Sequence, residues 1–563
     1  MKMLLRFASR SAGRIAALAA IGLAAVGSLV FAADPADTIL LNGKIATVND
    51  RFAIVQAVAI RGRRIVAVGS NADVLEHQGR ATKILDLKKR TVIPGLIDNH
   101  SHWIRAAEHD ELRLDGVASR KAALGLLAER VRTTRPGDWI VTIGGWSEEQ
   151  FTDDPRGFAL DELDRIAPDH PVVLQAIYNQ SYLNTAALKA AGIDESTPDP
   201  RGGTIEKDAN GKPSGVVRGA GGVAFVAAKI PLPDAAGWIA NARRLVAELN
   251  AMGITAWYDA GGRGVNEKHY VPYQHLAERG ELDVRVFWST IRQPTTPEQV
   301  DKVLAEIAKL KPFQGSDYYD HIGWGETLYA PVTTNSLRVG SNTKPEDMVQ
   351  MRRVAQALAA RGLYANAHVE MTEAIDAFLD QYEAINKIHP IKGLRWSFSH
   401  LDQVNEAQLE RMKGLGMYAG LHSRPLIQGA LMHKVHGERA WDMPPFRRVQ
   451  DSGILWGLGS DATAVTTSNP FYTLGFAVTG RMVGGRKVNR QSITRQEALV
   501  AHTRSNAWFI FQESNLGSIQ PGKYADLVVL DRDYFTVPAD RIKDIKPLMT
   551  MVGGKIVYRA KGM

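Results

Sequence analysis

Residues 92–102 read Val-Ile-Pro-Gly-Leu-Ile-Asp-Asn-His-Ser-His. An apolar run ends in a His-x-His pair. Along an extended strand residues i and i+2 share one side, so His100 and His102 converge on one point at the strand's C-terminal end. Two imidazoles placed this way are ready ligands for a cation. Alone, the pattern is equally that of an ordinary surface or hydrogen-bonded pair, so the rest of the chain has to decide.

Working outward, seven further apolar runs follow, at 254–259, 284–288, 321–328, 364–368, 396–400, 417–421 and 455–461. Helical patterns lie between most of them, at 345–361, 371–386, 405–414 and 494–509. Strand–helix alternation argues for a parallel sheet, and eight such strands for a (β/α)8 TIM barrel with its chemistry at the strand C-terminal ends. One interval breaks the rhythm. About 103–250 separates the first strand from the second and carries a Gly/Pro/Asp-rich stretch at 192–222, which reads as a large insertion after strand 1, over the barrel mouth. Short β-branched runs crowd both ends of the chain, at 38–48, 57–61, 64–68 and 83–87, then at 525–530, 547–552 and 555–558. They predict a small β-sandwich built from both termini. The expected fold class is therefore α/β, with a sandwich at 33–90 and 515–563 and a barrel at 91–514.

Composition narrows the chemistry. The 563 residues are 45% apolar and 23% charged, with 51 Gly and 25 Pro, which excludes wholesale disorder, collagen and coiled coil. There is no cysteine. Disulfides, thiolate metal sites and a cysteine nucleophile are thereby excluded, and any cation must be held by His, Asp, Glu or a modified Lys. No P-loop and no dinucleotide fingerprint sits on a strand–turn–helix.

The first 32 residues carry Lys2, Arg6, Arg10 and Arg14 and no acid, then an apolar run at 15–30, with Val30 and Ala32 at the −3 and −1 positions of a cleavage site. This is the pattern of a secretory signal peptide at 1–32. The competing reading is a retained anchor, but the run is shorter than the roughly 20 residues a spanning helix needs. The expectation is export to the periplasm or beyond, with no stable membrane span once the signal is removed. Removing those four cations takes the formal charge from +8 to 8 − 4 = +4, too small an excess to mark a nucleic-acid partner.

Later strand ends add ligand-type residues: His368, His400 and Asp461. Each alone is a satisfied polar residue at a strand end. Together, four histidines and an aspartate on one rim match the needs of a zinc-like ion and an activated water. His422, one position past the seventh run, either faces this pocket and polarises a carbonyl or stands behind it. Trp146, Tyr178, Trp324 and Tyr329 either line an apolar pocket or pack in the core. His433 and His436 read as structural.

AVAIRGRRIVAVGS, TVIPGLIDNHSH, FSHLDQV, GSDAT and GKYADLVVLD, in this order and spacing, resemble the amidohydrolase superfamily of metal-dependent hydrolases. Within it the chain is similar to amidohydrolase family 3, the YtcJ-like branch that includes N-substituted formamide deformylase. The likeness runs over nearly all of the chain beyond the leader. It implies a distorted (β/α)8 barrel with a two-ended β-sandwich, and one or two divalent metal ions, zinc first, manganese or iron as alternatives. It implies His100 and His102 as the first-strand metal pair, and His368 and His400 as fifth- and sixth-strand ligands. Asp461 becomes both a metal-site residue and the general base that takes a proton from metal-activated water and hands it to the leaving group. It also makes a homodimer an allowed assembly.

Three places depart from the family pattern. The fourth strand lacks the usual lysine, and Glu326 is the carboxylate that would bridge two metals there; the alternative is a Glu paired with a cation. Asn179 stands where many relatives have a histidine, so Trp146, Asn179 and His422 are the candidate substrate-binding residues. Arg218-Gly219 replaces a common Arg-Glu pair. The resulting expectation is a hydrolase of a carbon–nitrogen, amide-type bond other than a peptide bond in a small molecule. Ester or lactone hydrolysis and deamination use the same activated water and stay open, and a metal-free scaffold protein is the non-enzymatic alternative.

Overall fold

The computed structural model describes residues 35–262 and 264–563. The leader expected at 1–32 lies outside the described residues. At the centre are eight parallel strands: β1 (Leu96–Ser101), β2 (Ile254–Asp259), β3 (Arg285–Thr290), β4 (Tyr319–Trp324), β5 (Asn366–Val369), β6 (Ser397–His400), β7 (Tyr418–His422) and β8 (Trp456–Gly459). They pair in sequence order as two sheets of four, β1 to β4 and β5 to β8. A parallel bridge between Trp324 and Ala365 joins β4 to β5. Between β8 and β1, the Asp461 amide donates to His100 O at 2.9 Å and the His102 amide to Ala462 O at 2.5 Å. The Asn506 side-chain amide spans the same seam, donating to Ile97 O and Leu458 O at 2.6 and 2.8 Å. All eight strand C-termini are thus tied to their neighbours.

Each return to the sheet is locally encoded. After β6, Asn405 caps the helix Glu406–Gly414 with a reciprocal box: its side chain accepts from the Gln408 amide, and the Gln408 side chain accepts from the Asn405 amide. Such a cap contributes about 1 kcal/mol and fixes where the chain turns after His400. The helix faces toward the sheet are apolar, as with Ile375, Phe378, Leu379 and Tyr382 of Thr372–Asn386, all buried.

Two sequence expectations need correction. The run at 92–98 is not one strand. Thr91–Pro94 belongs to the terminal sheet, pairing with Lys44–Ala46 and Leu527–Leu530, and β1 starts afresh at Leu96. Gly95 is the joint: a Cβ there would lie 2.1 Å from Thr255 Oγ1, so only glycine passes. The helix expected at 494–509 is two, Arg495–Ala501 and Arg504–Phe509. His502 interrupts it because its carbonyl leaves the helix to accept the Ile97 amide of β1.

The two chain ends meet. A six-stranded sheet takes Lys44–Ala46, Ile54–Val55 and Thr91–Pro94 from one end and Leu527–Leu530, Pro547–Val552 and Lys555–Arg559 from the other. A four-stranded sheet near the N-terminus shares an apolar cluster with it, in which Val58 and Ile60 meet Val92, Leu527 and Met549. Between β1 and β2 lies a separate five-stranded sheet with its own core around Trp146, Phe151, Phe158 and Leu174. Among the described residues no helix is long and apolar enough to cross a membrane.

Candidate metal centre

Four histidine rings surround the Glu326 carboxylate, which follows β4. Its Oε2 lies 3.3 Å from His100 Nε2, 3.0 Å from His368 Nδ1 and 3.5 Å from His400 Nε2, and its Oε1 lies 3.8 Å from His102 Nε2. The loop is held in place by the His368 amide, which donates to Glu326 O at 3.0 Å. Two groups of donor atoms therefore share one carboxylate: His100, His102 and Glu326, and Glu326, His368 and His400, each with its atoms within 4.8 Å of one another.

The donor chemistry fits a cation. His100 Nε2 and His400 Nε2 are buried and make no hydrogen bond with acceptable geometry, although both point at a carboxylate oxygen. The opposite ring nitrogen of three of the four histidines has a hydrogen-bond partner: His102 Nδ1 with Gly261 O at 2.9 Å, His100 Nδ1 with Ser399 Oγ at 3.1 Å, and His400 Nδ1 with His422 Nδ1 at 2.8 Å. His368 Nε2 instead faces Glu370 Oε1 as an ion-pair contact at 3.3 Å. A ring whose outer nitrogen is engaged presents the inner lone pair in a fixed direction, the usual arrangement behind metal-binding histidines. One carboxylate flanked by two imidazole pairs suits two divalent ions or one.

Asp461 completes the ring. Its Oδ1 is 3.0 Å from His102 Nε2 and 3.8 Å from His100 Nε2, and its Oδ2 is 3.7 Å from His400 Nδ1 and from Arg424 Nε. His400 and Asp461 both sit in the left-handed backbone region, with φ of 81° and 66°. For a residue with a Cβ that conformation costs roughly 1–2 kcal/mol, and here it occurs at the strand ends that deliver the two side chains. Asp98 braces the same seam. Its Oδ1 accepts from the His100 and Ser460 amides at 3.0 and 3.1 Å, and burial pushes its carboxyl up to about 7.

Electrostatics divides the rings into two kinds. Burial works against charging His102, but Asp461 and Glu326 outweigh it and raise the ring to about 9. At His368 burial is again outweighed, by Glu370 and Glu326, and the ring rises to about 10. Burial, reinforced by the cation at His368, holds His400 well below the ordinary range, and burial with His100 and Arg424 does the same at His422. The Glu326 carboxyl is kept well below its usual range because His368 and His100 override the burial cost.

The structure brings His100, His102, Glu326, His368, His400, His422 and Asp461 together. His422 stands behind His400. Its ring centroid is 4.4 Å from that of His100, and its Nε2 is buried without a hydrogen bond. The other two sequence candidates are not among the donors of this cluster. Trp146 is fully buried in the core of the five-stranded sheet, 5.7 Å from Phe151 and 5.3 Å from Phe158 between ring centroids. Asn179 is exposed in the turn before Gln180–Leu183, where its carbonyl accepts the Gly219 amide. Trp324 and Tyr329 are buried in the core, while Tyr178 is half-buried beside Arg105. His433 and His436 bond the carbonyls of Val488 and Ser336.

Three charged residues at the site went unrecognised in the sequence: Glu370, Asp402 and Arg424. Arg424 forms ion pairs with both carboxylates, Glu370 through Nη1 at 2.5 Å and Asp402 through Nη2. All three are buried. A signal for them existed. The ends of β5, β6 and β7 read His368-Val369-Glu370, His400-Leu401-Asp402 and His422-Ser423-Arg424, so the same His-x-charged step recurs on three successive strands.

A fold of sequential parallel strands with a His/Glu cluster at their C-terminal ends is the build of a metal-dependent hydrolase. The amidohydrolase family model matches residues 83–558, and the chain belongs to that family; it is a hydrolase acting on carbon–nitrogen bonds. It is 26% identical over 559 residues to the N-substituted formamide deformylase of Arthrobacter pascens, covering 93% of this chain and 99% of that one. YtcJ of Bacillus subtilis (strain 168) is also 26% identical, over 538 residues, 92% of this chain and 98% of the relative. Among solved structures, an uncharacterized metal-dependent hydrolase from Pyrococcus horikoshii OT3 shares the fold, with a TM-score of 0.62 and 21% identity over 89% of this chain and 99% of that one.

Proposed function

We propose that the protein is an exported metal-dependent amidohydrolase that cleaves an amide-type bond of a small molecule. The observation that carries this reading is Glu326, whose one carboxylate is shared by two histidine pairs at the strand C-termini. In this reading the eight-strand array is a distorted (β/α)8 barrel. The five-stranded sheet at about 103–250 is its insertion, and the terminal sheets, 33–90 with 515–563, form a separate sandwich. The leader at 1–32 directs the chain to the periplasm or beyond.

His100, His102 and Glu326 would hold one cation, and Glu326, His368 and His400 a second, with zinc favoured and manganese or iron as alternatives. When bound, such ions acidify water and polarise a carbonyl. The residues do the rest. Asp461 stands at the rim of the histidine ring, with Oδ1 facing His102 and His100. It accepts a proton at a carboxylate oxygen and returns it to the departing nitrogen. His102 is oriented by its bond to Gly261 O, and His400 by His422, so neither ring turns during turnover. His100, His102, Glu326, His400 and Asp461 are buried and His368 half-buried, which limits the access of bulk water.

The relative named for N-substituted formamides makes that class the first to assay, followed by other neutral secondary amides. The test combines elemental analysis of residues 33–563, purified without chelators, with a screen of amides and esters. About two equivalents of metal and chelator-reversible amide hydrolysis support the reading. No metal after reconstitution, or ester cleavage without amide cleavage, overturns it.

A further inference from the structure

The three His-x-charged steps put a second layer of side chains behind the ligand layer. Arg424 from the end of β7 joins Glu370 from β5 and Asp402 from β6 into one buried ion cluster. Glu370 also reaches forward. Its Oε1 lies 3.3 Å from His368 Nε2, while the Nδ1 of that ring lies 3.0 Å from Glu326 Oε2. His368 is therefore held between two carboxylates on opposite edges of one ring. The remaining rings meet neutral partners behind them: a carbonyl at His102, a hydroxyl at His100 and an imidazole at His400. His368 has the nearest charge behind it: Glu370 stands 3.3 Å from its Nε2, whereas the Asp461 carboxylate behind His400 stands 3.7 Å from Nδ1.

We propose that Glu370, clamped by Arg424, is the positioning residue of the Glu326–His368–His400 half of the centre. It accepts the Nε2 proton of His368, commits Nδ1 to the cation, and lets this half be tuned separately from the His100–His102–Glu326 half. The placement supports this: His368 Nε2 and Glu370 Oε1 are buried, have no hydrogen bond of their own and face each other at 3.3 Å. The Glu370 backbone amide is fixed by Thr334 Oγ1 at 3.0 Å, so the carboxylate is pinned from the main chain as well as by the guanidinium. Arg424 Nε also lies 3.7 Å from Asp461 Oδ2, so its removal acts on a carboxylate that removal of Glu370 does not touch. A carboxylate behind a ligating imidazole raises its basicity and fixes its tautomer, and loss of such a partner typically weakens metal binding about 10- to 100-fold.

The inference rests on the metal-site reading, and the test separates the two. Apo protein is titrated with Co²⁺ or Zn²⁺ against a chromophoric chelator, alongside the variants Glu370→Gln and Arg424→Gln, with thermal melting as a folding control. Wild type should fill in two steps. Glu370→Gln should weaken one step about tenfold or more, leave the other within about twofold, and alter the visible Co²⁺ spectrum of the weakened site. Arg424→Gln should weaken the same step, which keeps the test open if Glu370→Gln folds poorly. Both steps unchanged in a folded Glu370→Gln protein, or both weakened equally, overturns the assignment while leaving the metal centre intact. A wild-type protein that binds no cation overturns the reading beneath it as well.

Discussion

Cation binding should release protons, and the number is set by the site. In the metal-free protein His102 titrates near 9 and His368 near 10, against an ordinary value of 6.5. Each belongs to a different half of the centre, and a ring cannot hold a proton and a metal on the same nitrogen. At pH 7.5 displacing the proton opposes binding by a few kcal/mol at each ring, more at His368 than at His102. Each binding step should therefore release close to one proton and tighten about tenfold per pH unit between pH 7 and 8.5. Titration calorimetry in buffers of different ionisation enthalpy counts the protons, and chelator competition at three pH values gives the slope. Fewer than about half a proton per cation at pH 7.5, or affinity flat with pH, would refute the charge pattern described here. The same shifts fix the sign for the apo protein. Both rings are raised above their unfolded value, so their contribution to stability is complete below about 6.5 and is lost as pH rises through 9 and 10. Metal-free protein should melt progressively lower across that window.

Other outcomes follow from single contacts. Asp461→Asn should lower kcat about 10²- to 10⁴-fold. It should still leave the Glu326–His368–His400 group able to bind, because Asp461 is not one of its donors; kcat and metal content on the same preparation check this. Glu326→Gln should cost both equivalents, since both groups use that carboxylate; loss of only one equivalent by elemental analysis would show that it does not bridge. Gly95→Ala should destabilise by about 1–3 kcal/mol, because the new methyl meets the Thr255 side chain at 2.1 Å, and an unchanged melting temperature would contradict the joint described between the two sheets.

Most of the centre was legible because a parallel strand advertises its C-terminal end. His100, His102, His368 and His400 each close an apolar run, and Asp461 follows one, so periodicity alone places them on one rim. Glu326 needed a further step, the family position of a missing lysine. Trp146 and Asn179 were drawn to the site by their place in a motif, but nothing in a linear motif reports where a side chain points. Trp146 satisfies its ring in an aromatic core of its own sheet, and Asn179 serves its turn through the backbone. The joint at Gly95 was hidden for a related reason. Val92 to Ile97 is continuous in hydropathy, and the break arises from a close approach to Thr255, a residue more than 150 positions away.

The charged layer behind the histidines is marked in the sequence only by the repeated His-x-charged step, and its pairing has consequences for substrate choice. Glu370, Asp402 and Arg424 sit at strand ends where a charge is ordinarily solvated, and the partners that allow their burial come from different strands. Once paired, the three carry one positive and two negative charges, and Asp461 adds a third negative charge beside Arg424. With the ligand Glu326 also ionised, the cation-free centre has four carboxylates facing one guanidinium and two protonatable rings. Divalent cations relieve that imbalance, whereas an anionic substrate arriving before them would meet repulsion. The order that follows is cation first, then substrate. The metal-free protein should accordingly bind a carboxylate-bearing N-substituted amide more weakly than its uncharged analogue. Equal or tighter binding of the carboxylate-bearing analogue to metal-free protein, measured by titration calorimetry, would show that a basic group outside this layer, rather than the layer itself, governs what enters.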